Sequence, residues 1–199
     1  VGTPVRSQFL DALNTDNAGL PDIDIPPDAT VIAVVGGSQG AVAVNQMVRA
    51  AAPAWVEAGN WIVHITGTND LEVDSYSHPQ YIHRPFYNNM AALFQRANLV
   101  ISRAGEDTLI ELAITATPSI LSPYPFAYNA QAFQQAGAGQ LHQQSDLTTA
   151  QLQTLVSGLL SDASGLHEMS EAARRLSTTD SADKMRQLIS RELSPVSAV

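Results

Sequence analysis

Apolar residues along this chain come in short, dense runs separated by stretches with helical spacing. Thr30–Val35 (TVIAVV) is apolar at almost every position and stops at Gly36-Gly37, which predicts a strand buried on both faces. From Ala41 to Val56 the spacing changes. Val44, Met47, Val48, Ala51 and Val56 share one face, as in an amphipathic helix. The strand pattern returns at Trp61–Thr66 (WIVHIT), Asn98–Ser102 (NLVIS) and Pro118–Ser122 (PSILS), with Tyr81–His83 as a weaker candidate and Gln140–His142 as a last one. Helices are expected at Val5–Leu13, Asn89–Arg96, Thr108–Thr115 and Tyr128–Ala136. Asn14–Ala29, punctuated by prolines, reads as loop. Thr148–Leu193 reads as helix in two or three pieces, broken near Ser164 and Thr178–Ser181.

Strand alternates with helix at least four times. The expected fold is therefore α/β, a Rossmann-like parallel sheet with helices on both faces. The expected organisation is a linker or hinge segment with a short helix at 1–29, an α/β domain at 30–163, and C-terminal helices at 164–199 that pack on the same domain. In such sheets ligands sit beyond the carboxyl ends of the strands. The loops after Val35, Thr66, Ser102 and Ser122 are the ones to inspect.

Composition narrows the chemistry. The 199 residues carry 10 Lys plus Arg against 19 Asp plus Glu, a formal net charge of −9. So acidic a chain lacks the basic surface that binds nucleic acid, and any phosphate must be held locally by backbone amides and a few side chains. There is no Cys, which excludes disulfides, thiolate metal sites and Cys nucleophiles. The 45% apolar and 15% charged fractions suit a globular domain rather than disorder. No apolar run approaches the ~18 residues of a membrane span. The opening VGTPVRSQF lacks the build of a signal peptide, and the missing initiator Met points to a fragment or a processed product.

Three loops carry candidate chemistry. Gly36-Gly37-Ser38-Gln39-Gly40 joins a strand to a helix and offers unobstructed amides at a helix amino end, which is a phosphate cradle. The same residues fit a plain tight turn, and they fit G-x-S-x-G, the nucleophile elbow of hydrolases, with Ser38 as nucleophile and His142 or His167 as formal partners. Ser102-Arg103-Ala104-Gly105-Glu106-Asp107-Thr108 leads into a second helix. There the Thr108 hydroxyl and amide can face a phosphate, and Glu111, one turn on, can accept hydrogen bonds from a ribose diol. A helix start whose acidic first turn merely complements the dipole explains those residues as well. Ser122–Ala127, stiffened by Pro123 and Pro125, reads as an ordered loop. Asp22-Ile23-Asp24 lies in a Pro-rich stretch and the histidines lack ligand spacing, so no metal site is expected.

Taken together, GTPVR from Gly2 to Arg6, GGSQGA from Gly36, PFYNNM from Pro85, ISRAG from Ile101, TLIELA from Thr108 and PSILSPYPF from Pro118 resemble the C-terminal half of the MurG family of UDP-N-acetylglucosamine transferases. The resemblance spans nearly the whole chain. It implies the C-terminal, donor-binding domain of a two-domain GT-B glycosyltransferase that moves N-acetylglucosamine onto lipid I to give lipid II for peptidoglycan. It places the enzyme peripherally on the cytoplasmic face of the plasma membrane. UDP-N-acetylglucosamine is the implied partner here, and the lipid-linked acceptor is met through an N-terminal domain that this sequence does not include. Carried over by position, Arg6 is the hinge arginine near the donor, and Ser38 contacts a donor phosphate from the glycine loop, in which Gly37 and Gln39 also bind the donor. Tyr87 offers backbone groups to the uracil. Glu106, Asp107, Thr108, Leu109 and Ile110 form the helix start at the diphosphate, and Glu111 takes the ribose. No cofactor or metal is implied.

Three features depart from that pattern. The acceptor half and its general base are absent from this sequence, so the chain alone is expected to be inactive. Glu106 and Asp107 stand where small or apolar residues are usual, and each carboxylate should repel a desolvated diphosphate by on the order of 1 kcal/mol or more. PYPFA runs straight into Tyr128-Asn129-Ala130, without the segment whose Gln would contact the donor sugar. A degenerate, non-catalytic nucleotide-binding module and a Ser38 hydrolase remain the alternative readings.

Overall fold

The computed structural model describes residues 5–12, 19–36, 42–122 and 128–177. Six strands, β1 (Val31–Val35), β2 (Trp61–Ile65), β3 (Tyr81–Arg84), β4 (Leu99–Ser102), β5 (Ser119–Leu121) and β6 (Gln140–Leu141), form one sheet in the order β3-β2-β1-β4-β5-β6. Every pairing is parallel. Val35 pairs with both Ile65 and Ser102, so the central strands finish level at one edge. The order reverses direction between β1 and β4, which opens a crevice beyond their carboxyl ends.

Seven helices surround the sheet among the described residues: α1 (Ser7–Ala12), α2 (Val42–Glu57), α3 (Met90–Arg96), α4 (Glu106–Thr115), α5 (Tyr128–Gln135), α6 (Thr149–Ser161) and α7 (Ala163–Leu176). The alternation within β1 decides which helices go where. Ile32 and Val34 point into one core, built with Val48 and Trp55 of α2 and Leu152 and Val156 of α6. Val31, Ala33 and Val35 point into the other, built with Phe9, Leu93, Phe94 and Leu112 of α1, α3 and α4. Helices therefore cover both faces.

Most predicted elements recur within a residue or two of their expected ends. Three differ instructively. Tyr81–Arg84 is a full member of the sheet, with Tyr81 buried, rather than a marginal strand. The helix expected from Thr108 starts at Glu106, because Gly105 occupies the cap position and the acidic pair Glu106 and Asp107 suits the positive helix end. Met47, expected on the buried face of α2, is only partly buried, while the polar Asn45 and Arg49 are inside. The break between the last two described helices falls at Asp162, whose side chain caps α7 through the Gly165 amide. The helical reading beyond Ser177, and the loop at 123–127, lie outside the described residues.

The segment before β1 is part of the packing. Phe9 is fully buried and its ring lies 6.0 Å from that of Phe94. Arg96 donates to the carbonyls of Pro26, Pro27 and Ala29, tying the Pro-rich approach to β1 onto α3. Truncating Phe9 to Ala leaves an apolar cavity and should lower the unfolding free energy by about 3–5 kcal/mol. Urea unfolding checks this; a loss under about 1 kcal/mol would show that α1 is not held by the core.

Candidate functional site

A cavity of about 430 Å³ opens at the carboxyl edge of the sheet. Its floor is Val35 at the end of β1 and Ile65 at the end of β2. Its walls are Pro85, Phe86 and Tyr87 after β3, Met90 and Phe94 of α3, Asp107, Thr108, Ile110 and Glu111 of α4, and Val5 and Arg6 from the start of the chain. The structure thus gathers Arg6, Tyr87, Asp107, Thr108, Ile110 and Glu111, six residues singled out from sequence, around one space. Leu109 is buried on the core side of α4, and Glu106 is exposed and does not line the cavity. Gly37, Ser38 and Gln39 lie outside the described residues.

The position of α4 follows from the turn before it. Ala104 takes a left-handed backbone, φ 59°, which costs a non-glycine residue about 1–2 kcal/mol. Its amide is satisfied by the Ser102 hydroxyl. The kink sends α4 away from β4 with its amino end at the strand edge, so Thr108 and Glu111 face the cavity while Leu109 and Leu112 enter the core.

Arg6 and Glu111, 105 positions apart, meet directly. Arg6 donates from Nε at 2.9 Å and from Nη2 at 2.6 Å, both to Oε1 of Glu111. Glu111 is buried, whereas the Arg6 side chain is about half exposed. Burial pushes the Glu111 carboxyl above its ordinary value; the Arg6 hydrogen bonds and charge oppose this, and Asp107 adds to it. The Arg6 guanidinium also stacks 5.1 Å from the Phe9 ring centroid, which orients it. On the opposite wall the Tyr87 hydroxyl donates to Asp22 at 2.6 Å; burial and then that acceptor hold the phenol above its usual range.

A buried polar chain next to this edge was not singled out from sequence. Asn45 and Arg49 of α2, His64 of β2, Asp70 in the following loop and Tyr81 of β3 are all buried. Arg49 donates from Nη1 to Asp70 Oδ2 at 2.6 Å and from Nη2 to Asp70 Oδ1 at 2.9 Å. Asn45 Nδ2 donates to Asp70 Oδ2 and to the Thr66 carbonyl, both at 2.8 Å. His64 bridges Asn45 Oδ1 at 2.9 Å and the Tyr81 hydroxyl at 2.7 Å. Burial would push Asp70 up, but Arg49, Asn45 and the Glu72 amide together hold it below the ordinary carboxylate value. Burial, reinforced by the Arg49 charge, pushes His64 down to about 3. The one sequence signal was a histidine inside an apolar strand; Asn45 and Arg49 flank the apolar stripe of α2, where periodicity reads them as surface.

Among the described residues no group of three or more His, Asp or Glu is placed to hold a metal ion. Asp22 accepts from Tyr87 and stands 3.8 Å from Arg84, so the D-x-D stretch is engaged in local structure.

Residues 31–187 match the model of the glycosyltransferase family 28 C-terminal domain. The UDP-N-acetylglucosamine--N-acetylmuramyl-(pentapeptide) pyrophosphoryl-undecaprenol N-acetylglucosamine transferase of Nostoc sp. (strain PCC 7120) is 56% identical over 195 residues, 95% of this chain and 54% of that protein. The transferase of the same name from Microcystis aeruginosa is 52% identical over 198 residues, 96% of this chain and 54% of that protein. The chain thus spans about half the length of these relatives. The crystal structure of Acinetobacter baumannii MurG superposes with a TM-score of 0.71 at 26% identity, covering 92% of this chain and 53% of that one. A calicheamicin glycosyltransferase superposes at 0.72 with 19% identity over 87% of this chain and 44% of its own, a likeness of fold alone. These matches favour the transferase reading over the hydrolase and the non-catalytic module.

The buried imidazole makes a prediction about pH. An unfolded histidine titrates near 6.5, whereas native His64 stays neutral down to about 3. Its contribution to stability is whole above about pH 6.5 and is lost, at up to ~1.4 kcal/mol for each pH unit, as pH falls towards 3. His64 ring signals should stay constant by NMR from about pH 8 to about pH 5; a midpoint near 6.5 would contradict the buried assignment.

Proposed function

Because this chain belongs to glycosyltransferase family 28, matching its C-terminal domain, we propose that it binds UDP-N-acetylglucosamine as the donor-binding part of an inverting transferase that converts lipid I to lipid II for peptidoglycan. The observation that carries the reading is the cavity in which the half-exposed Arg6 and the buried Glu111 meet across the switch point of the sheet. A carboxylate already held on Oε1 by an arginine is fixed in orientation, as a ribose diol requires.

In this reading the uracil lies against the Tyr87 backbone beside the apolar floor. Glu111 accepts from the ribose. The amino-terminal amides of α4, up to that of Thr108, take the diphosphate with the Gly37-Ser38-Gln39 stretch, while Leu109 and Ile110 continue the helix behind them. The amino end of α4 meets the charge that develops on departing UDP, so electrostatic stabilisation comes from a helix dipole already oriented before reaction. The acceptor C4 hydroxyl attacks the anomeric carbon on the side opposite the diphosphate. The C1–O bond breaks, UDP leaves with the electron pair, the anomeric centre inverts, and the hydroxyl proton passes to a base in the acceptor-binding half. In this reading residues 30–163 carry most of the donor site, 1–29 are the hinge segment that adds Arg6 to it, and α7 packs on the same domain. The enzyme works peripherally on the cytoplasmic face of the plasma membrane, where a lipid-linked acceptor is met. Among the described residues no helix is long and apolar enough to cross a membrane.

Titration calorimetry of the chain with UDP should give a saturable signal, and absence of heat at millimolar UDP would sink the proposal. Glu111→Gln keeps the shape but loses the charged acceptor, and should weaken UDP about tenfold or more. Asp107, exposed at the cavity rim, should act in the opposite sense. Asp107→Asn removes a like charge and should tighten UDP by about two- to fivefold, most at low salt. Unchanged affinity at low salt would show that the Asp107 carboxylate turns away from the phosphates.

A further inference from the structure

The buried polar chain has a defined direction. Asn45 Nδ2 has two acceptors, Asp70 Oδ2 and the Thr66 carbonyl, which leaves Asn45 Oδ1 as the acceptor towards His64. His64 must therefore donate from Nε2. A neutral ring protonated there has a lone pair on Nδ1, so the Tyr81 hydroxyl donates to it. Donation runs Tyr81 to His64 to Asn45 to Asp70, and Arg49 closes the end with a two-pronged grip on the Asp70 carboxylate. Every link is spoken for, and flipping the Asn45 amide would turn its oxygen onto the Asp70 carboxylate and the Thr66 carbonyl, acceptor against acceptor.

The chain also has a definite mechanical position. Asn45 is in the first turn of α2. Its partners are the last residues of β2 and the loop after it, and the Gly36 amide at the end of β1 donates to Ile65. Asn45 and Arg49 together fasten the amino-terminal half of α2 to the strand edge that holds the cavity.

We propose that His64, Asn45, Asp70 and Arg49 are positioning residues that fix the amino end of α2 for the diphosphate of the donor, Tyr81 only filling the far side of the imidazole. This rests on the donor reading above. His64 is the informative place to cut. Glutamine reaches as far as Nε2 and keeps the donor to Asn45 while losing Tyr81. Asparagine reaches only as far as Nδ1 and keeps Tyr81 while losing Asn45. Each variant loses one buried hydrogen bond, so a merely structural role treats them alike.

The test titrates the full chain and both variants with UDP and with uridine, which lacks the phosphates. H64N should weaken UDP about five- to tenfold and uridine less than twofold, while H64Q stays within about twofold of the parent for both. Hydrogen exchange at amides 46–48 should accelerate in H64N and not in H64Q. Equal losses in the two variants, equal losses for UDP and uridine, or no loss at all would overturn the proposal. Should H64N fail to fold, the unmodified chain decides: UDP must slow exchange at 46–48 and uridine must not, and any other pattern overturns it. If the parent chain binds neither UDP nor uridine, the donor reading falls and takes this inference with it; if it binds both and the variants behave alike, only this inference falls.

Discussion

Everything at the candidate site depends on the in-register parallel pairing of β1 with β2 on one side and β4 on the other. Parallel strands deliver all their carboxyl ends to one edge, and each chain must cross back over a face of the sheet before the next strand begins. Because successive connections leave β1 and β4 in opposite directions along the sheet, none of the described helices fills the gap beyond Val35 and Ser102. The cavity is thus a product of topology. The side chains decide only what it holds.

The two charged contacts at this edge rest on different balances. Arg49 and Asp70 are both withdrawn from water, and desolvation of that kind costs several kcal/mol per ion. Two-pronged geometry, the Asn45 donor and the Glu72 amide offset it, so the pair survives as part of a fully partnered network. Arg6 and Glu111 are asymmetric. The carboxylate is buried while the guanidinium keeps much of its hydration, and the net effect still leaves Glu111 above its ordinary value. The first arrangement suits a fixed support. The second leaves a buried carboxylate whose environment is completed from the solvent side.

Much of this fold could be read from the sequence because β1, β2, β4 and β5 are buried on both faces and so appear as unbroken apolar runs. The helix α2 was legible from its apolar stripe, yet Asn45 and Arg49 sit beside that stripe and periodicity treats them as surface. Their partner Asp70 comes from a loop, where pattern carries no information, so the network emerges only in three dimensions. Arg6 and Glu111 were each picked out by resemblance, but their contact spans 105 positions and no local rule joins them. The apolar pattern alone starts α4 at Thr108, because Glu106 and Asp107 are poor core residues and count as helical only through their effect on the helix dipole; it took the resemblance to put the start at Glu106.

The similarity to the family model begins at residue 31, the first residue of β1, but the folded core does not. Phe9, Leu20 and Ile23 are buried in the same core as β1 and β4, and the carbonyls at 26, 27 and 29 are where Arg96 is anchored. A truncation made at the edge of the similarity would leave six strands intact, yet it would take the carbonyl partners from Arg96, expose Phe94 and strip one wall with its guanidinium from the cavity. Sequence similarity delimits the sheet, while the unit that closes the core and walls the cavity begins some two dozen residues earlier.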